Sequence, residues 1–213
     1  RAAQLNDLQI RALRFRDDGT DLEVPLHASA RWIGGGATTQ GGIDFSPNIP
    51  TEEVFTAPYA PGVSGRVAIT RPVRVLGGLV RDAWFEFRDG VVVDYGAATG
   101  RDHLTAFFSV DDGSRSIGEI ALVDSSSPIY QTGLVFENIL LDENAACHFA
   151  LGSAYPTCIA GGARMDEDEL IAHGANRSRQ HVDFMFGSDD IEVSAVSDDG
   201  TSVPIVTNGR FVL

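Results

Sequence analysis

Two residues that can bind a metal or move a proton stand two positions apart in the sequence His181-Val182-Asp183. A β-strand points residues i and i+2 to the same face, so an imidazole and a carboxylate would lie side by side here. A second imidazole, His148, lies upstream in an apolar segment. Imidazole and carboxylate together suit zinc, cobalt or manganese better than a sulfur-rich site does. The pattern indicates a site for one or two divalent metals, and core histidines with satisfied hydrogen bonds are the alternative.

Three acids and one tyrosine extend this candidate site. Glu119 lies inside the apolar run 117–123, where a carboxylate is unfavourable unless it is paired or coordinated; an exposed edge position is the alternative. Glu52 and Glu53 lie in an irregular segment rich in Pro and Thr, where surface acids or a capping pair are the alternative. Tyr155 is either a core aromatic or a phenol that donates a hydrogen bond to polarise a carbonyl. These residues alone leave both roles open.

The composition excludes several classes of protein. The chain has 213 residues, a formal net charge of −14 and 16 basic residues, all of which are arginine. A basic groove for nucleic acid or for an anionic membrane is therefore not expected. No apolar run approaches the ~20 residues of a membrane span, and no signal peptide is visible. Cys147 and Cys158 form no CxxC pair, so we expect buried free thiols and a cytoplasmic location.

Length and apolar patterning predict an α+β fold, a mostly antiparallel, barrel-like sheet flanked by a few helices. Alternation between turn signals predicts strands over most of 63–98 and hairpins at 12–26 and 191–206. Helical periodicity predicts helices at 2–10, 101–110, 135–141 and 166–173, whereas 145–151 fits either a strand or a helix. The irregular segment 44–61 is of the kind that often carries function.

Four motifs, in this order, resemble the metallo-aminopeptidase family typified by aminopeptidase T and aminopeptidase S. They are Asn48–Pro58 (NIPTEEVFTAP), Gly118–Val123 (GEIALV), Asp142–Tyr155 (DENAACHFALGSAY) and His181–Met185 (HVDFM). The resemblance implies two divalent metal ions, zinc or cobalt first and manganese or iron as alternatives. It implies a site made of the metal ligands Glu53, Glu119, His148, His181 and Asp183, with Tyr155 as a further ligand or oxyanion partner. Glu52, or a ligand carboxylate that does not bridge the metals, is the candidate proton shuttle.

The reaction that the resemblance implies is release of leucine-like N-terminal residues from peptides by attack of a metal-bridging water. Peptides with a free N-terminus are the expected substrates, and a homodimer is the expected assembly. The resemblance covers the C-terminal part of that family's longer chain. Residues 1–213 are therefore expected to form a metal-binding catalytic domain, with the family's N-terminal domain absent.

Two other functions stay open at this point. One is a mononuclear Fe(II) dioxygenase, a relative of the same family that opens a dihydroxypyridine ring with two histidines and two acids. The other is a non-catalytic dimerisation module. The presence of Glu119 and Tyr155 beside the smaller ligand set favours the peptidase over the dioxygenase.

Overall fold

The computed structural model describes all residues from Arg1 to Leu213. Its strands, in chain order, are β1 (Ala12–Asp17), β2 (Thr20–Pro25), β3 (Ile33–Gly34), β4 (Ala37–Thr38), β5 (Asp44–Phe45), β6 (Val54–Thr56), β7 (Ser64–Ala68), β8 (Val73–Val75), β9 (Gly78–Val80), β10 (Trp84–Arg88), β11 (Val91–Gly96), β12 (Ile117–Leu122), β13 (His148–Gly152), β14 (His181–Met185), β15 (Glu192–Val196), β16 (Ser202–Thr207) and β17 (Arg210–Phe211). The α-helices are α1 (Ala2–Asp7), α2 (Arg101–Phe107), α3 (Pro128–Gln131), α4 (Ile139–Asp142) and α5 (Glu167–Ala172).

Two open antiparallel sheets make up most of the fold. The larger has eight strands in the order β11-β10-β7-β2-β1-β15-β16-β17, and the smaller has five in the order β14-β13-β12-β6-β3. Every paired strand runs antiparallel to its neighbour, as expected for a chain built from hairpins. The α+β, mostly antiparallel prediction is confirmed, but the barrel-like prediction is wrong. Each sheet has two free edges, because no pairing joins its first strand to its last.

Aromatic side chains join the two sheets face to face. Phe85 on β10 lies 5.8 Å from Phe149 on β13 and 5.0 Å from Phe184 on β14, measured between ring centroids. Phe87 reaches Phe149 from the same strand of the larger sheet, at 6.0 Å. All four rings are buried, and aromatic pairs at such edge-to-face distances add to the stabilisation from burial. One face of the five-stranded sheet is therefore fixed against the main core.

The helices are shorter than the sequence pattern predicts. The predicted helix at 135–141 is mostly wrong, because only Ile139–Asp142 is helical. The carboxylate of Asp142 accepts hydrogen bonds from the backbone N–H groups of Phe136 and Asn138, at 3.0 and 3.1 Å. A side chain that bonds nearby N–H groups in this way holds them in a non-helical path. None of the helices is long and apolar enough to cross a membrane.

Candidate metal centre

The predicted ligands converge on the other face of the five-stranded sheet, the face turned away from the aromatic core. In its register, Ala150 on β13 pairs with Glu119 on β12 and with Asp183 on β14, while His148 pairs with Ala121. Directly opposed residues of an antiparallel pair share a face. Three adjacent strands therefore present a histidine and two acids side by side.

Small residues leave room between these ligands. Ala150 stands between Glu119 and Asp183, and Ala121 stands beside His148. At the end of β13, Gly152 has φ +116°, and a Cβ there would lie 2.1 Å from the carbonyl oxygen of Gln180. Only glycine tolerates both the conformation and the close approach. The chain can consequently turn at Gly152 and bring the next backbone carbonyl toward β14.

Backbone carbonyls orient both histidine rings. The Nδ1–H of His148 donates to the carbonyl oxygen of Ala146 at 3.0 Å, and the Nδ1–H of His181 donates to that of Ser153 at 2.8 Å. A carbonyl oxygen can only accept, so each ring carries its proton on Nδ1. This leaves the Nε2 lone pair of each neutral ring facing the acids. Metal-binding histidines are held in this way by a second hydrogen bond.

The distances between donor atoms are those of a cation site. His148 Nε2 lies 2.9 Å from Glu53 Oε2 and 3.8 Å from Glu119 Oε1. His181 Nε2 lies 3.9 Å from Glu119 Oε2, so Glu119 stands between the two rings. His181 Nε2 also lies 3.6 Å from Asp183 Oδ1. The ligand atoms of Glu53, Glu119 and His148 all fall within 4.8 Å of one another.

Glu53 Oε2, Glu119 Oε2 and His148 Nε2 are buried and make no hydrogen bond. Glu53 Oε2 and His148 Nε2 lie 2.9 Å apart, but with the ring proton on Nδ1 both atoms are acceptors. Buried polar atoms are nearly always paired, so such an unpaired group needs an explanation. A divalent cation bound among them would satisfy all three atoms together, and their nitrogen and oxygen donors fit zinc or cobalt. The residues present therefore fit a metal.

Burial and the neighbouring charges have opposite effects on the pKa values of the acids and histidines in this cluster. Burial raises the pKa of Glu119, and the neighbouring imidazole of His148 offsets this only in part. Burial lowers the pKa of His181, but the Asp183 carboxylate outweighs it and raises that pKa to about 9. The pKa of His148 is also raised, since the acids around it outweigh its burial. The acids and the imidazoles of this cluster therefore strongly perturb one another's pKa values.

Sequence reasoning missed one acid, Glu143. It lines the same cavity of about 400 Å³ as Glu53, Glu119, His181 and Asp183. Burial, followed by the neighbouring Asp183 carboxylate, raises the pKa of Glu143 to about 8. Its position five residues before His148, among residues that pack inside the protein, is the signal that could have identified it.

Glu52, the candidate proton shuttle from the sequence, does not line this cavity. Its backbone N–H donates to Asn144 Oδ1 at 2.6 Å, while the next residue, Glu53, enters the cavity. Successive residues of an extended chain point in opposite directions, which separates the two acids. The structure thus brings together the five predicted ligands and Tyr155, but not Glu52.

Tyr155 lies at the open side of the cavity and is 48% exposed. Its ring centroid is 4.8 Å from that of His181 and 6.3 Å from that of Phe55. Burial of its inner part and the nearby acids, Glu119 first, raise the pKa of this phenol to about 12. Tyr155 therefore remains a hydrogen-bond donor at neutral pH.

Comparison with known proteins identifies the family. Residues 1–211 match the family described as thermophilic metalloprotease, M29. The chain belongs to this family. The resemblance seen in the four sequence motifs is thereby confirmed, and the M29 family is one of metal-dependent peptidases by its description.

Several relatives of the M29 chain are known as whole proteins. Aminopeptidase 2 of Geobacillus stearothermophilus is 45% identical over 207 residues, which are 97% of this chain and 50% of that protein. The structure of wild-type AmpT from Thermus thermophilus superposes with a TM-score of 0.94 at 42% identity, covering 100% of this chain and 52% of that one. The chain thus spans about half the length of the curated relatives it matches.

The fold extends beyond peptidases. The structure of 2,5-dihydroxypyridine dioxygenase from Pseudomonas putida KT2440 matches with a TM-score of 0.64, covering 99% of this chain and 57% of that one. Its sequence identity is 16%, so the match shows a common fold alone.

Proposed function

We propose that residues 1–213 form the metal-binding catalytic domain of an aminopeptidase that releases apolar, leucine-like residues from the free N-terminus of peptides. Membership of the M29 family and the names of the relatives support this reaction class. The observation that carries the proposal is the set of buried atoms of Glu53, Glu119 and His148 that make no hydrogen bond, next to a cavity of about 400 Å³ that Glu53 and Glu119 line.

Two divalent metals are proposed, with zinc or cobalt as first choice and manganese or iron as alternatives. Glu53, Glu119 and His148 would hold one metal, and His181 and Asp183 would hold the other, with Glu119 between them. Bound metals of this kind lower the pKa of a water and polarise a carbonyl. Three ligand carboxylates against two divalent ions leave the site able to accept one further negative charge.

The chain's own side chains supply the remaining steps. Glu143 lines the cavity outside the ligand cluster, so we assign it the proton shuttle that the sequence placed on Glu52. Its carboxylate takes the proton from the attacking water and passes it to the leaving amine nitrogen. The Tyr155 hydroxyl donates a hydrogen bond to the carbonyl oxygen as charge develops there.

The test uses the full-length protein loaded with zinc or cobalt. Metal analysis is expected to find two ions per chain, and leucine amides are expected to be hydrolysed. Glu143→Gln should keep both metals while kcat falls by about 10²–10⁴-fold, whereas Glu52→Gln should change kcat little. No more than one ion per chain at saturation contradicts the two-metal site, and equal effects of the two variants contradict the assignment of Glu143.

The dioxygenase alternative has no support beyond the common fold. Anaerobic reconstitution with Fe(II) followed by an oxygen-uptake assay on a dihydroxypyridine separates it from the peptidase. A homodimer, a cytoplasmic location and the lack of a nucleic-acid partner complete the proposal. Sedimentation of the full-length protein tests the dimer, and comparing its peptide hydrolysis with that of residues 1–213 tests whether this domain is active alone.

A further inference from the structure

One wall of the metal cavity is apolar and has no part in the proposed chemistry. On β6, Phe55 follows Glu53 by two residues, and both side chains line the cavity. Phe55 pairs in register with Ile33 on the edge strand β3, so these two side chains are cross-strand neighbours. The wall therefore begins about 7 Å along the strand from a proposed metal ligand.

Packing behind the wall holds it in place. Ile33 and Phe55 are partly buried and pack against a small second core. The members of that core are Ala57, Ala154, Cys158, Ile159, Leu170 and Ala175. On the cavity side, the ring of Tyr155 lies between Phe55 and His181, with centroid distances of 6.3 and 4.8 Å. The wall is thus a fixed surface next to the acids.

The cavity is narrow beside this wall. A Cβ at Gly35 would lie 1.4 Å from Thr51 Oγ1, so the glycine-rich strand end packs directly on Thr51. Both residues line the cavity. The lining contains no arginine, so an acidic side chain placed against the apolar wall would lose its water without gaining a cationic partner.

We propose that Phe55 and Ile33 form the surface that selects the first side chain of the peptide, favouring unbranched or γ-branched apolar side chains such as Met and Leu over Gly and over acidic residues. The inference rests on the proposed aminopeptidase function. When the free α-amine of the peptide lies at the ligand end of the cavity, the side chain on the adjacent carbon points along β6 toward Phe55. A side chain of leucine size can reach from the ligand end of the cavity to the wall formed by Phe55 and Ile33, whereas glycine leaves that wall uncovered.

The test compares kcat/KM for leucine and glycine p-nitroanilides in the full-length, metal-loaded protein. Phe55→Ala is expected to lower the leucine-to-glycine ratio by about tenfold or more, with metal content unchanged. Phe45→Ala is the matched control, because Phe45 is 46% exposed and lies outside the cavity lining. A second readout is calorimetric binding of leucine hydroxamate against glycine hydroxamate, which should show the same loss of preference.

The outcomes separate the two proposals. If wild-type protein prefers leucine and Phe55→Ala keeps that ratio within about twofold, the wall assignment is overturned while the aminopeptidase function stands. If wild-type protein with both metals bound cleaves neither substrate, the proposed function fails and the inference fails with it. Phe55→Leu keeps an apolar side chain in the wall, and a smaller fall in the ratio than for alanine is expected; an equal or larger fall contradicts selection by contact area.

Discussion

Replacing Glu119 with glutamine separates a metal ligand from a structural acid, because the two roles predict different effects on stability. Burial raises the pKa of Glu119, with His148 offsetting this only in part. A carboxyl group whose pKa is raised on folding destabilises the folded chain at pH values above its ordinary value of 4.5. In metal-free protein at pH 7, Glu119→Gln should therefore be neutral or stabilising, and any loss should stay below about 1 kcal/mol.

With metal bound, the same substitution should be strongly unfavourable. Glu119 Oε1 lies 3.8 Å from His148 Nε2, and Glu119 Oε2 lies 3.9 Å from His181 Nε2. The Glu119 carboxylate is therefore close to both candidate histidine ligands. Loss of an outer hydrogen-bond partner weakens metal binding by about 10–100-fold, and loss of a direct ligand should reach at least the upper figure. A 100-fold weaker affinity lowers metal-dependent stabilisation by about 2.7 kcal/mol. In a chain of 213 residues that corresponds to about 5–10 °C in Tm.

The assay is thermal unfolding of the 213-residue chain, with EDTA in one series and with excess zinc in the other. Glu23→Gln is the control, because Glu23 pairs on the surface with Arg14 at 3.0 Å and such a pair contributes little. Its two Tm shifts should be small and equal. The reasoning about Glu119 is refuted if Glu119→Gln lowers Tm by the same amount with EDTA and with zinc.

Three further predictions concern the elements around the site. Ala150→Val fills the space between Glu119 and Asp183. Metal content should therefore fall, and overpacking should lower the free energy of unfolding by about 1–3 kcal/mol. Unchanged metal content by elemental analysis would show that the space is not needed. Asp111 accepts hydrogen bonds from Ser178 Oγ at 2.7 Å and the Arg179 N–H at 2.8 Å, and despite its burial these and further bonds lower its pKa. The stabilisation from the charged Asp111 carboxylate is present above pH 3.8 and is lost as pH falls further. In urea unfolding, Asp111→Ala should therefore lower the free energy of unfolding by about 1–3 kcal/mol at pH 7 and by less at pH 3. Equal losses at both pH values would argue that the carboxylate charge does not contribute. Asp166→Ala removes the capping box of α5 and should cost about 1 kcal/mol without changing metal content, which a fall in bound metal would contradict.

The residues of the candidate site could be predicted from the sequence, but their arrangement could not. The side-by-side placement of His181 and Asp183 can be predicted from their spacing, since alternate residues of one strand share a face. The placement of Ala150 between Glu119 and Asp183 depends on the register of three strands that are distant in sequence. The register of these strands is set by which of their faces are buried and by the turns between strands, and it cannot be read from the sequence of one chain.

The wrong predictions have the same physical origin. Whether a sheet closes depends on pairing between its first and last strands, and alternation within each strand says nothing about that pairing. The predicted helix at 135–141 failed because the Asp142 side chain competes for backbone N–H groups. Glu143 was missed because it follows that segment, where the periodicity gives no direction to its side chain.

Strand alternation links the candidate metal centre directly to the hydrophobic core. Phe149 lies between His148 and Ala150 on β13, and Phe184 follows Asp183 on β14, so each ligand strand turns aromatic rings to one face and ligands to the other. The rings pack at 5.6 Å from each other and are fully buried. Gathering four acids in a buried cavity is unfavourable without a cation, and the core on the opposite face supplies the stability that holds them together. The rigidity of the ligands and the stability of the fold therefore depend on the same two strands.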